Sequence, residues 1–282
     1  MSVAQRAMVR MRRRPRATQV GSYILLVLLI LSFVLPLFYL VNTSLKSFQE
    51  YSINPNGLVQ DPQWANFPAA WEKGKFGSYF LNTLLYTFAG AGGVTLLSML
   101  IGFPLGRGYI RRPRIWYGVL ASFLFLPSAI VAQYQLLIAM GLYNTRMGYI
   151  VILAIGVGIG PMLVAGFSQS VPREIDEAAA MDGASYGRYL WTFALPLMKP
   201  ALATVFLLSA VAIWNDIILG TILFADPTLW PVATGLNAFK GVNTTDWPLL
   251  AAATIIVAIP LIALYVFVQR YLVNAVVGAI KG

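Results

Sequence analysis

Few residues in this chain could do chemistry, and they fall in two places. The first is a set of polar side chains inside otherwise apolar stretches: Gln133, Tyr134 and Gln135, then Trp214, Asn215 and Asp216. Polar groups at such depth are costly in lipid and face protein or a water-filled cavity. A carboxylate and amides beside the aromatic faces of Trp214, Tyr134 and Phe125 would suit a hydroxyl-rich solute. An equal reading has Asp216 pairing with a polar neighbour to fix helix packing. The second place is the segment from Ser170 to Pro200, SVPREIDEAAAMDGASYGRYLWTFALPLMKP. Neither holds a nucleophile with its base. The 282 residues include no histidine and no cysteine, which removes the commonest general base, thiolate metal sites and disulfides. The one Gly-Lys pair, Gly74-Lys75, is followed by Phe76 and makes no phosphate loop. No catalytic, cofactor-binding or metal-binding residue is expected, so the chain is not expected to be an enzyme.

The elements that must hold these residues are membrane helices. Hydrophobic residues make up 59% of the chain and charged ones 11%, with mean hydropathy +0.73. Soluble domains are about 45–50% apolar and about 25% charged. A water-soluble enzyme and a disordered chain are both excluded. Six stretches reach the length of about 20 apolar residues that spanning requires, near 20–43, 79–105, 115–140, 148–168, 201–224 and 248–270. The expected fold is an all-α polytopic membrane protein of six transmembrane helices forming one domain. Glycines such as Gly102 and Gly106 are expected to let helices approach closely. Asp216, counted from residue 201 at 1.5 Å per residue, falls about 22 Å into a core about 30 Å thick.

Charge sets the orientation. Fifteen of the twenty Lys and Arg residues fall in 1–19, 106–114, 169–200 and the segment from Arg270 to the end. Both termini are therefore expected in the cytoplasm. The basic N-terminus, with Arg6, Arg10, Arg12, Arg13, Arg14 and Arg16, reads as an orientation signal beside anionic membrane lipid. No nucleic-acid partner is expected, nor a cleaved signal peptide, whose apolar core is shorter. The outer loop from about 44 to 78, with Trp64, Trp71, Asn54 and Asn56, is expected to be ordered.

The segment 169–200 is the informative loop. Pro172 stands near a helix start, with Glu174, Asp176 and Glu177 in the first turns, where the helix dipole favours acids. Ala178, Ala179 and Ala180 are strong helix formers, and Gly183 interrupts as a C-terminal glycine does. Ser185 can cap a second helix running through Leu195, which Pro196 is expected to stop. Two short helices at an angle, with small residues open to a partner surface, are the expectation.

Glu177-Ala178-Ala179, three residues, Gly183, nine residues, and Phe193-Ala194-Leu195-Pro196 resemble the EAA loop of binding-protein-dependent ABC importer permeases. Phe193 stands where the family has isoleucine. Asp182 and Ala184 beside the glycine are similar to the carbohydrate-importer branch, whose smaller maltose-type permease the chain resembles. Asn42-Thr43-Ser44-Leu45-Lys46, Asn82-Thr83, Trp214-Asn215-Asp216 and the tail Val277 to Gly282 also fit, whereas Pro104 to Arg114 departs from the family pattern.

The resemblance implies a type I importer fold in a prokaryotic cytoplasmic (inner) membrane. It implies that Glu177, Ala178, Ala179, Asp182, Gly183, Ala184, Leu195 and Pro196 form a coupling helix and its surroundings, seated on a separate ABC ATPase dimer that carries ATP and Mg. It implies a second, larger permease, an extracytoplasmic solute-binding protein and a carbohydrate substrate. Lys281 and Gly282 resemble tails that reach the ATPase. An importer for another solute, and a self-sufficient secondary transporter, are the alternatives.

Overall fold

The computed structural model describes residues 16–241 and 245–280, with side chains for 20–241 and 245–266. Among the described residues the chain is helical and has no β-strand. It divides into two compact units, 1–70 with 241–255, and 71–240 with 256–282.

The first unit begins with α1 (Arg16–Ser44), apolar on every face and exposed from Val20 through Phe38. A helix of that length and hydropathy is built for lipid. Its end is different. Asn42, Thr43, Ser44 and Lys46 are buried. The Lys46 ammonium donates to the carbonyls of Asn54 (2.8 Å) and Pro55 (3.0 Å), closing the C-terminal end of α2 (Phe48–Ile53). Asn42 donates to the Gly57 carbonyl and accepts from the Val59 N–H, both at 2.9 Å. Asn66, at the start of α3 (Asn66–Lys73), donates to the carbonyls of Ser44 and Lys46. The loop after α1 is thus ordered, as expected, by buried polar side chains that satisfy its backbone. The first residues of α14 (Trp247–Ile280) also belong to this unit.

The second unit is built on α4 (Phe76–Arg107), which packs against α7 (Arg146–Ile155), α8 (Gly160–Ser168) and α11 (Leu195–Trp214). Gly102 and Gly106 allow the closest approach. A Cβ at Gly106 would lie 2.1 Å from Ser168 Oγ and 2.2 Å from the Ala165 carbonyl of α8. Two apolar clusters lie along α4. One surrounds Tyr86, Tyr149, Ile213 and Phe224, the other Met99, Phe103, Val164, Tyr189 and Met198.

Three of the expected spans differ in the structure. The third (115–140) is two shorter helices, α5 (Pro113–Phe123) and α6 (Ile130–Ala139), parted by residues 124–129 around Pro127. At 1.5 Å per residue α6 is about 15 Å long, half of a hydrocarbon core. The fourth (148–168) bends by 45° between α7 and α8. Gly156, Gly158 at positive φ and Pro161 account for the break.

The fifth (201–224) begins far earlier. Helix runs from α10 (Tyr186–Tyr189) through a π turn, Leu190–Ala194, into α11, ends at Trp214, and resumes as α12 (Ile218–Leu223). Pro196 does not stop it. Proline cannot donate to the carbonyl behind it, and the widened turn just before it absorbs that lost bond. By length and apolarity, four continuous helices among the described residues can cross a membrane, and the bent α7–α8 pair makes a fifth. The short α13 (Val232–Gly235) completes the unit.

Candidate functional site: the α9 turn and the Asp216 cavity

The segment after α8 folds as its local sequence dictates. Helix α9 (Glu174–Met181) carries Glu174, Asp176 and Glu177 in its first turn and three alanines behind them. It ends in a paired turn. Ala184 N–H donates to the Ala179 carbonyl and Gly183 N–H to that of Ala180, both at 3.0 Å. This closure requires a left-handed residue, and Gly183 sits at φ 68°. Ser185 then caps α10, its hydroxyl accepting the Arg188 N–H. The two short helices are as expected, except that the second flows into α11.

The two faces of α9 differ. Ala179 is buried, and Ile175 packs on the Phe103–Tyr189 cluster. Glu177, Ala178, Asp182 and Gly183 are exposed, as is Pro196, while Ala184 and Leu195 are half-buried. Met181, at the tip, is 88% exposed. The free surface is therefore acidic, small-residued and shallow. Lys281 and Gly282 lie outside the described residues, as do the arginines ahead of Arg16.

What anchors α9 was not visible in the sequence. Arg107, the last residue of α4, is 5% exposed. Its guanidinium donates to the carbonyls of Ser168 (3.0 Å), Val171 (2.5 Å) and Pro172 (3.1 Å). It also reaches Asp176 Oδ2, from Nε at 2.8 Å and from Nη2 at 2.5 Å. Tyr109 donates to the same oxygen at 2.7 Å, and Tyr189 donates to Oδ1. Burial pushes the Asp176 carboxyl up. The hydrogen bonds from Arg107, Tyr189 and Tyr109, with the guanidinium charge, outweigh burial and hold it below the usual carboxylate range.

Arg107 and Tyr109 lie in Pro104–Arg114, the segment that departs from the resemblance. The basic residue counted only as an orientation charge. Its partner lies 69 residues away, a distance no local spacing rule covers.

The polar residues inside the helices are only partly brought together. Gln133 and Asp216 line one cavity of about 370 Å³, with Ser209 and the Gly156–Gly160 break. Asp216 lies at the break between α11 and α12, where its Oδ1 accepts the Leu219 N–H at 2.9 Å. Trp214 is buried elsewhere, its indole N–H donating to the Val257 carbonyl at 3.1 Å. Asn215 is exposed and donates back to the Val211 carbonyl. Tyr134 packs edge-on against Tyr143, and Gln135 is exposed. Among the described residues no group of His, Cys, Asp and Glu could hold a metal ion.

Comparison with known proteins fits this arrangement. Residues 96–278 match the family described as binding-protein-dependent transport system inner membrane component. The melibiose/raffinose/stachyose import permease protein MelC of Bacillus subtilis is 30% identical over 253 residues, 88% of this chain and 91% of that one. The diacetylchitobiose uptake system permease protein NgcG of Streptomyces coelicolor is 28% identical, covering 90% and 86%. In a crystal structure of a bacterial ABC transporter involved in the import of alginate, one chain superposes with TM-score 0.78 at 23% identity, covering 91% of this chain and 96% of that one. The chain is a member of the family of binding-protein-dependent transport system inner membrane components.

Proposed function

We propose that the chain is one transmembrane subunit of an ATP-driven ABC importer whose solute is a sugar or oligosaccharide. The relatives named for melibiose, diacetylchitobiose and maltodextrin support the solute class. The carrying observation is the free face of α9. Glu177, Ala178 and Asp182 stand open beside the Gly183 turn, on a helix whose other side is fastened to the membrane core through Ala179 and Asp176.

An ATPase dimer on another chain seats that face, with exposed Pro196 beside it, and Ala184 and Leu195, packed against the core, support it from behind. Arginines on the same side favour a cytoplasmic placement in a prokaryotic inner membrane. A second, larger permease completes the pathway, and an external binding protein delivers the solute. The cavity containing Gln133 and Asp216 is the part of the path that this subunit supplies. The Lys281-Gly282 tail touches the ATPase.

Affinity purification in mild detergent from native cells tests this directly. An ATPase, a second permease and a binding protein should copurify, and hydrolysis should rise with one sugar plus the binding protein. Recovery of the chain alone, with gradient-driven uptake in vesicles, would overturn the proposal.

A further inference from the structure

We propose that Arg107 and Asp176 are positioning residues of transport. Together they make α9 move as one body with the end of α4 and the start of the α10–α11 helix. The inference rests on the importer reading and deepens it, because it says how a push on the free face of α9 reaches the membrane helices.

The geometry points there. A short helix of eight residues, buried at Ala179 alone, would pivot under load if only that contact held it. Asp176 prevents this. One carboxylate joins three stretches of backbone: α4 through Arg107, the turn after it through Tyr109, and α10 through Tyr189. Arg107 in turn grips the carbonyls on both sides of the loop entering α9. The guanidinium is buried, Asp176 is half-buried, and Nε and Nη2 both reach one carboxylate oxygen, so the pair resists shear in a way that apolar packing does not. Removing it leaves Ala179 and Ile175 to carry displacement across a greasy contact.

The test uses the assembled complex in vesicles, reading ATP hydrolysed per solute imported. Asp176→Asn removes the negative charge and Arg107→Lys the two-nitrogen grip of the guanidinium, each with little change in length. Each should raise that ratio by about tenfold, the scale of an ordinary coupling energy, with the ATPase still copurifying. A ratio equal to wild type, with uptake and hydrolysis falling together, would mean that the pair is merely structural and overturns the proposal.

If neither variant assembles, Tyr109→Phe with Tyr189→Phe leaves the ion pair in place and is read the same way. Amide exchange across residues 174–181 of the detergent-solubilised chain gives a readout independent of import. Asp176→Asn should lower protection there by about tenfold while α4 is unchanged, and equal protection overturns the proposal. A wild-type complex that imports nothing fails the importer reading instead, and the exchange result then decides for the pair alone.

Discussion

The two ends of α4 are fastened in different currencies of interaction. At the Asn82 end the bonds are mostly neutral and spread out. Asn82 donates to the carbonyls of Thr228 (2.8 Å) and Trp230 (3.2 Å), Thr83 accepts the Val232 N–H (2.7 Å), and Tyr86 donates to the Leu229 carbonyl (2.8 Å). Among these bonds Arg146, donating to Asn82 Oδ1 at 3.1 Å, brings the charge. At the Arg107 end one guanidinium serves three carbonyls and a carboxylate. A distributed clasp fails gradually, whereas a concentrated one fails at once. The concentrated clasp sits behind the free face of α9.

The largest expected effect follows from that concentration. Arg107→Ala takes the ion-pair partner from the half-buried Asp176 and leaves the Val171 and Pro172 carbonyls without that donor, and should cost about 3 kcal/mol or more, since each unsatisfied acceptor costs about 1–3 kcal/mol. Thermal unfolding in detergent measures it. At the other end, Asn82→Ala removes one of several neutral bonds and should cost about 1–3 kcal/mol. If it cost more than Arg107→Ala, the contrast would be broken.

Gly183→Val comes next. No side chain lies within 4 Å of its Cβ, so the penalty is the left-handed backbone alone, about 1–2 kcal/mol. The helices should stay inserted while uptake is lost and hydrolysis persists in vesicles. Normal uptake would show that the turn geometry is dispensable.

The smallest effect is that of pH. A carboxyl held low when folded contributes stability that is complete above its ordinary value of 3.8 and is lost as pH falls through the lower folded value. Acid should therefore loosen α9 below about pH 4, with a smaller change at the Asn82 end, where Asp226 is also held low by hydrogen bonds from Thr228. Asp176→Asn should flatten that profile in amide exchange. Equal acid sensitivity at both ends would erase the distinction.

The sequence exposes what is local and hides what is distant. The α9 turn is legible because an alanine run, a glycine at the required left-handed position and a serine cap all act within a few residues. The buried loop ties of Asn42 and Lys46 announce themselves only as a resemblance, since their partners are backbone carbonyls that any residue supplies. Asp176 shows its dipole role but not its partner. Hydropathy locates apolar stretches without registering breaks, so Pro127 and the Gly156–Gly160 run read as tolerated when they in fact divide spans. Pro196 misleads for the opposite reason, because a general helix stopper is neutralised by the turn immediately ahead of it. Of the polar residues within apolar stretches, Gln133 and Asp216 meet around a cavity, while Trp214 spends its N–H on Val257.

The π turn at Leu190–Ala194 has a consequence for chain length. Its Leu195 N–H reaches back to Leu190, so the segment stores one residue more than an α-helix of the same rise. Deleting a single residue there would restore a plain α-helix with its two sides in nearly the same phase. Tyr189 and Asp216 lie on opposite sides of that point. The turn lets the clasp and the cavity keep their relative phase despite one additional residue, so a single deletion here should be milder than one inside α11, which would rotate its two sides by about 100°.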